Sequence, residues 1–245
     1  GLSNARNRAI QEVSTELIAF VDDDVFFDKN WLKAICDAFE RNPDAACVGG
    51  KSIPTFETPA PGWVTEEIYD FYGSTPSGDQ DRMMIFPEHP FGLNMAFRTS
   101  VFDKVGDFNP QLGRSKSCLL SNEELDLFRR IAKADLNVYY ASNALLYHRI
   151  PPERTEKRWI VERTYWQGVS DAAYWQIVSP RKKIYLALKS LWVSRKIIPF
   201  FFRRFFQRLF PKFFKAYSFE ETLAVYRIMG IVRQSMAEAL SFRKA

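Results

Sequence analysis

The run Leu17-Ile18-Ala19-Phe20-Val21-Asp22-Asp23-Asp24 is a short apolar segment ending on three consecutive carboxylates. Five apolar residues bounded by charge read as a buried strand. Adjacent acids repel one another, and a cluster this dense at a strand end needs a counter-charge. A hard divalent cation can supply it, because Mg2+ or Mn2+ is held by one or two carboxylates together with substrate phosphates. The same residues also suit a solvated strand-to-helix turn with Asp as the helix cap. Alone, the run leaves both readings open.

The flanking sequence builds a layer around this strand. Ser3 is predicted to cap a helix reaching Val13, with Ala5, Ala9, Ile10 and Val13 on one face. Asp28 is predicted to cap a second helix, where Trp31, Leu32, Ile35, Ala38 and Phe39 recur at helical spacing until Asn42-Pro43 ends it. Ala46–Ile53 reads as the next strand. Helix, strand, helix, strand predicts an α/β layer with largely parallel strands. Ligands bind beyond the carboxyl ends of such strands, where Asp22–Asp24 lie. Residues 54–90, rich in Pro, Gly and acids, read as one long irregular excursion. Regular structure resumes at Leu93–Phe97, followed by a helix near Thr99–Val105 that Gly106 ends. Ser121 then opens a helix with Leu125, Phe128 and Ile131 on one side. Asn137–Ala141 and Ala144–Tyr147 read as the last two strands.

The 245 residues suffice for one large domain or two small ones. Charge divides them. Residues 1–148 carry 14 Lys/Arg against 22 Asp/Glu, whereas residues 149–245 carry 20 against 7. No acid occurs between Asp171 and Glu220. Cys36, Cys47 and Cys118 have neither a close pair nor metal-ligand spacing, which suits packing residues in a reducing compartment. The chain opens on Gly1 rather than Met, without a signal peptide at this end, and residues are expected to have preceded it.

Four collinear blocks make the reading more specific. They are Gly1-Leu2-Ser3-Asn4-Ala5-Arg6-Asn7-Arg8-Ala9-Ile10 with the Asp cluster and Trp31-Leu32; Gly92-Leu93-Asn94-Met95-Ala96-Phe97-Arg98 with Val105-Gly106-Asp107-Phe108; Glu123-Glu124-Leu125-Asp126-Leu127-Phe128-Arg129-Arg130; and Tyr147-His148. Together they resemble a family 2 glycosyltransferase of the bacterial polysaccharide-biosynthesis type. The resemblance implies a GT-A-like, mostly parallel mixed sheet over residues 1–150, followed by a C-terminal helical region over 151–245. It also implies that the first strands are missing, about 70–80 residues of a nucleotide-binding half upstream of Gly1.

By the same resemblance the reaction moves a sugar, with inversion, from a nucleotide-sugar donor to a saccharide or lipid-linked acceptor in cell-surface or exopolysaccharide synthesis. Asp22 and Asp24 are the outer members of the Asp-x-Asp motif. Asp24 is expected to ligate Mg2+ or Mn2+, Asp22 to face the ribose or the metal, and Asp23 to share either role. Arg6 is expected at the nucleotide or its phosphates, and His148 as a third metal ligand. Glu124 is the expected general base and Glu123 its fallback. The family usually has Asp at the position of Glu124, so this carboxylate reaches one methylene further. Ser121-x-x-Glu124 also reads as a capping box, a structural alternative for Glu124. Arg130 is expected to pair with Asp126 one turn away, and His89 to line the acceptor pocket.

Between Arg181 and Lys215 stand eleven Lys/Arg and many Phe, but the longest apolar run, Ile197–Phe202, has six residues. That is too short to span a bilayer. It suits a basic helix lying on an anionic membrane surface or a helical cap packing its Phe residues inward. The first option makes the protein cytoplasmic and peripheral at the inner face of the plasma membrane. Nucleic acid is not expected as a partner, because no recognition-fold signature accompanies the aromatic residues. A non-catalytic fragment or scaffold is the remaining alternative.

Overall fold

A computed structural model describes residues 1–75, 78–116, 118–179, 183–213 and 216–241. Of the basic aromatic stretch, Arg181, Lys182, Phe214 and Lys215 lie outside the described residues. The chain forms two compact units, Gly1–Gly113 with Glu123–Glu156, and Arg114–Asn122 with Lys157–Ala245.

The first unit is the α/β layer. Its elements are α1 (Leu2–Glu12), β1 (Leu17–Val21), β2 (Val25–Phe27), α2 (Trp31–Arg41), β3 (Ala45–Phe56), β4 (Arg82–Met84), β5 (Asn94–Arg98), α3 (Ser100–Val105), α4 (Glu123–Lys133) and β6 (Asn137–Ile150). Short 3-10 turns occupy Glu66–Tyr72 and Pro152–Thr155. The mixed sheet has the order β1-β5-β3-β6-β2, with β4 also on β6. The strands β3 and β6 pair in parallel; β5 is antiparallel to both β1 and β3, so β1, β3 and β6 share one direction. The shorter β2 and β4 run against β6.

Apolar residues explain these positions. Ile18 and Phe20 of β1 alternate inward and join Met95, Phe97, Leu127, Phe128 and Ile131 in one core cluster. Ala34, Ile35, Ala38 and Phe39 place α2 on a second cluster with Val48 and Ala96. Burying each large side chain of this kind contributes about 1.5–3 kcal/mol. Leu32, expected on the same stripe of α2, is instead exposed.

Several local expectations change. Ser3 is not a cap: Gly1 holds that position, and Ser3 Oγ donates to the Leu112 carbonyl at 2.7 Å from within α1. Asn30, not Asp28, stands at the start of α2, and the Asp28 carboxylate accepts from the Asn30 N–H at 2.9 Å. The two last strands are one. The register of β6 against β3 slips between Ala141 and Leu146, so a polar interruption that reads as a turn is an irregularity within a long strand. The capping box is absent. Ser121 N–H donates to Ser170 Oγ at 2.9 Å, and Asn122 has φ 75°, which keeps the segment out of helical geometry.

The second unit is helical, with α5 (Lys157–Val178), α6 (Lys183–Ser194), α7 (Ile197–Leu209) and α8 (Phe219–Ser241). The helices α5 and α8 meet through glycines: a Cβ on Gly168 would overlap the Arg227 carbonyl, and one on Gly230 the Tyr165 carbonyl. Arg227 closes the contact on Asp171, its Nη2 at 2.6 Å from Oδ2. Among the described residues no helix is long and apolar enough to cross a membrane. All three cysteines are free.

Candidate active site

Strand pairing positions the first group of site residues. The β2–β6 register sets Val25 opposite His148, and the Arg149 N–H donates to the Asp24 carbonyl at 2.9 Å. The last of the three acids is thereby fixed beside the His. Asp24 Oδ1 lies 3.3 Å from His148 Nε2. The His148 Nδ1 is 2.6 Å from the Tyr72 carbonyl, an acceptor only, so Nδ1 carries the hydrogen. Nε2 is then a lone-pair acceptor, and Arg154 Nη1 donates to it at 3.2 Å.

The short approach of Asp24 Oδ1 to Nε2 is therefore one acceptor facing another. This accounts for Oδ1 being buried without a hydrogen bond. Arg154 Nη2 meets the other oxygen, Oδ2, at 3.0 Å and straddles the pair. A buried carboxylate oxygen without a donor, facing an imidazole lone pair, is a donor set that fits a hard cation. Asp22 is half-buried and Asp23 exposed at the same strand end. The three-ligand set Asp22, Asp24, His148 is not assembled, since no group of three or more His, Cys, Asp or Glu is gathered among the described residues.

The second group is built on α1 and α4. Arg6 is only 6% exposed, beneath the rings of Phe20 and Phe108 at 6.0 and 5.2 Å. Its Nη1 donates to Glu123 Oε1 at 3.1 Å and to Glu124 Oε1 at 3.2 Å, and its Nη2 donates to the Gly92 carbonyl at 3.3 Å. The contacts of Arg6 thus run to the Glu pair. Glu123 is 2% exposed and Glu124 19% exposed, so the second carboxylate is the more accessible. Burial, with the charge of Glu124 next to it, pushes the Glu123 carboxyl up to about 8. Burial acts the same way on Glu124, but the Arg6 guanidinium and the hydrogen bond from Glu123 outweigh it and hold Glu124 below the ordinary value. One carboxyl keeps a proton while the other stays ionised.

This division has a stability consequence. Folded Glu123 keeps its proton to about 8, whereas the unfolded side chain ionises near its ordinary value. Its contribution to stability is complete below that ordinary value and is lost as pH rises through about 8. Glu123→Gln is neutral throughout. Between about pH 5 and about pH 9 its Tm should fall less than that of the wild type, by about 4 °C or more in calorimetry.

The dipeptide Gly92-Leu93 runs between the two groups. A Cβ on Gly92 would overlap Glu124 Oε1 and lie 2.5 Å from Arg6 Nη2. Leu93 packs beside Gly73, whose own Cβ would lie 3.3 Å from His148 Nδ1. We expect Gly92→Ala to displace the Glu124 carboxylate and to destabilise the fold by about 1–3 kcal/mol in urea denaturation.

His89 packs against Phe128 with ring centroids 5.4 Å apart, and its Nδ1 is 2.8 Å from the Pro87 carbonyl. Arg130 pairs with Asp126 at 3.1 Å and also donates to the carbonyls of Val105, Gly106 and Asp107, tying α4 to the end of α3. Sequence reading missed Arg154, whose signal was an Arg six residues beyond the His in Pro151-Pro152-Glu153-Arg154. It also missed Asn94, which donates to the Lys51 and Ala144 carbonyls, both at 2.9 Å, and accepts from Trp31 Nε1 at 2.9 Å.

Comparison with known proteins bears on what this arrangement belongs to. The chain is 30% identical over 171 residues to a glucosyl-dolichyl phosphate glucuronosyltransferase of Haloferax volcanii, covering 69% of this chain and 54% of that protein. It is 23% identical over 168 residues to the succinoglycan biosynthesis protein ExoM of Rhizobium meliloti, covering 68% and 50%. It is 25% identical over 173 residues to a pre-mycofactocin glycosyltransferase of Mycobacterium tuberculosis, covering 69% and 34%. The chain therefore spans about half the length, or less, of these curated relatives. A crystal structure of GalNAc-T7 with UDP, GalNAc and Mn2+ aligns at TM-score 0.43 and 13% identity, over 71% of this chain and 37% of that one. The family model for Glycosyl transferase family 2 matches residues 1–106, which include Arg6, the Asp cluster and Gly92, and over these residues the chain is similar to that family.

Proposed function

We propose that the chain is the catalytic part of an inverting, metal-dependent glycosyltransferase. It moves a sugar from a nucleotide-diphosphate donor to a hydroxyl of a saccharide or lipid-linked acceptor in cell-surface or exopolysaccharide synthesis. The observation that carries this reading is the pairing of an ionised, partly accessible Glu124 with a cation-suited Asp24–His148 pair, separated by Gly92-Leu93.

Glu124 is the proposed base. It is held as a carboxylate by Arg6, and it accepts the acceptor's hydroxyl proton as the oxygen attacks the anomeric carbon opposite the leaving diphosphate. Glu123 keeps its own proton and is too buried for that role. Arg6 acts on the acceptor through Glu124 and is a positioning residue. Asp24 and His148 would hold the divalent cation, Mg2+ or Mn2+, and Tyr72 would fix the His148 tautomer through its carbonyl. Asp22 and Asp23 are assigned to the donor's ribose or to the same cation. When bound, the cation supplies positive charge for the departing diphosphate.

Arg154 competes for both donor atoms of the pair. Arg154→Ala should tighten Mn2+ binding about tenfold, the worth of one charge-assisted pairing, measured as free Mn2+ by electron paramagnetic resonance. Unchanged affinity would remove Arg154 from the site. The function itself is tested with full-length protein, a panel of nucleotide-diphosphate sugars and Mn2+. Donor turnover that appears with one of them and is abolished by chelation supports it; absence of both turnover and donor binding across the panel would contradict it.

A further inference from the structure

The second unit carries an exposed surface that contains no residue of the candidate site. In α7 the ring of Phe200 is fully buried, against Tyr217 at 4.7 Å and Tyr226 at 6.5 Å between ring centroids. The helix is therefore anchored by one side. Ile198, Phe201, Phe202, Phe205 and Leu209 recur at helical spacing on the other side, and each is exposed, Ile198 by 76% and Phe202 and Phe205 by 59%. A helix that packed its Phe residues inward would bury this stripe. Here one Phe packs inward and the stripe faces solvent.

Charge selects what covers it. Arg204, Arg208 and Lys212 are exposed along the same segment, and no acid occurs between Asp171 and Glu220. A second copy would bring these cations against their own kind. A nucleic acid would use the cations and the rings but not the aliphatic Ile198 and Leu209, since stacking needs a π-face. An apolar stripe bordered by cations matches the boundary between acyl chains and acidic headgroups.

We propose that α7 is a membrane-interface helix, lying in the plane of an anionic lipid surface with Ile198, Phe201, Phe202, Phe205 and Leu209 inserted and Arg208 and Lys212 at the headgroups. The proposal is independent of the sugar-transfer reading, and the following test involves no residue of that site.

Full-length protein is sedimented with vesicles of phosphatidylcholine containing phosphatidylglycerol, and with phosphatidylcholine alone, at low and high salt. Binding is expected to the anionic vesicles and to weaken with salt. The variant Arg208→Gln with Lys212→Gln should bind the anionic vesicles about thirtyfold less tightly, roughly fivefold for each cation removed. Phe201→Ser with Phe202→Ser and Phe205→Ser should abolish binding at every salt concentration. Its circular dichroism should match the wild type, because the buried Phe200 is untouched. If the triple variant misfolds, the double charge variant still decides. Absence of anionic-vesicle binding at low salt overturns the proposal. So does a dimer in light scattering that the triple variant dissolves without any vesicle binding, or tighter retention on single-stranded oligonucleotide than on anionic vesicles.

Discussion

Glu124→Gln is expected to lower sugar transfer about a thousandfold while donor affinity stays within about threefold of the wild type. The amide keeps the shape of the carboxylate but cannot take the acceptor's proton. Its contacts explain why this carboxylate, and not its neighbour, has the large effect. Arg6 lies 3.2 Å from Glu124 and holds it ionised, whereas burial keeps the proton on Glu123 to about 8. Glu123→Gln should therefore retain transfer within about tenfold. The pH profile carries the same signature. Because Glu124 is held below its ordinary value, the base remains ionised as pH falls through the usual carboxylate range, and the acidic limb of kcat should lie lower than for an unperturbed Glu. A thousandfold loss in Glu123→Gln with an active Glu124→Gln would exchange the two roles.

Asp24→Asn is the second large effect, with an expected loss of about a hundred- to a thousandfold in turnover at saturating donor. The Asp24 carboxylate faces His148 Nε2 at 3.3 Å and Arg154 Nη2 at 3.0 Å. Removing its charge leaves Arg154 without an anionic partner and weakens the proposed cation pair. Excess Mn2+ should recover part of the lost rate, because His148 still offers its lone pair. Asp23→Asn, at the exposed position of the same cluster, should cost less than about tenfold. Equal losses at Asp23 and Asp24 would show that the cluster acts as a diffuse charge.

The layer was legible wherever one physical signal dominated. The strand Leu17–Val21 is found as read, since five apolar residues ending in acids fit little else. Gly106 ends α3 and Asn42 ends α2, because backbone chemistry at those positions is local. The errors arose where distant partners decided. Ser3 looked like a cap, but the Leu112 carbonyl, more than a hundred residues away in sequence, takes its hydroxyl. Ser121 and Glu124 matched a capping box, but Ser170 and Arg6 claim them separately. The polar stretch inside β6 read as a turn because a strand irregularity leaves no signal of its own.

The site divided in the same way. The resemblance to family 2 glycosyltransferases marked Asp24, His148 and the Glu pair as candidates. The positioning of Arg6 depends on Phe20 and Phe108, distant in sequence, meeting around its guanidinium, and the bridging by Arg154 on the register of β2 against β6 and on the 3-10 turn Pro152–Thr155. Neither is visible in a linear pattern.

The central claim, that Asp24 and His148 form one cation site at the end of the apolar strand, is tested most directly by Mn2+ titration followed by electron paramagnetic resonance in the presence of a nucleoside diphosphate. One tight Mn2+ per chain is predicted for the wild type, weakened about tenfold or more by Asp24→Asn and again by His148→Ala. Mn2+ binding that is unchanged in the double variant would contradict it.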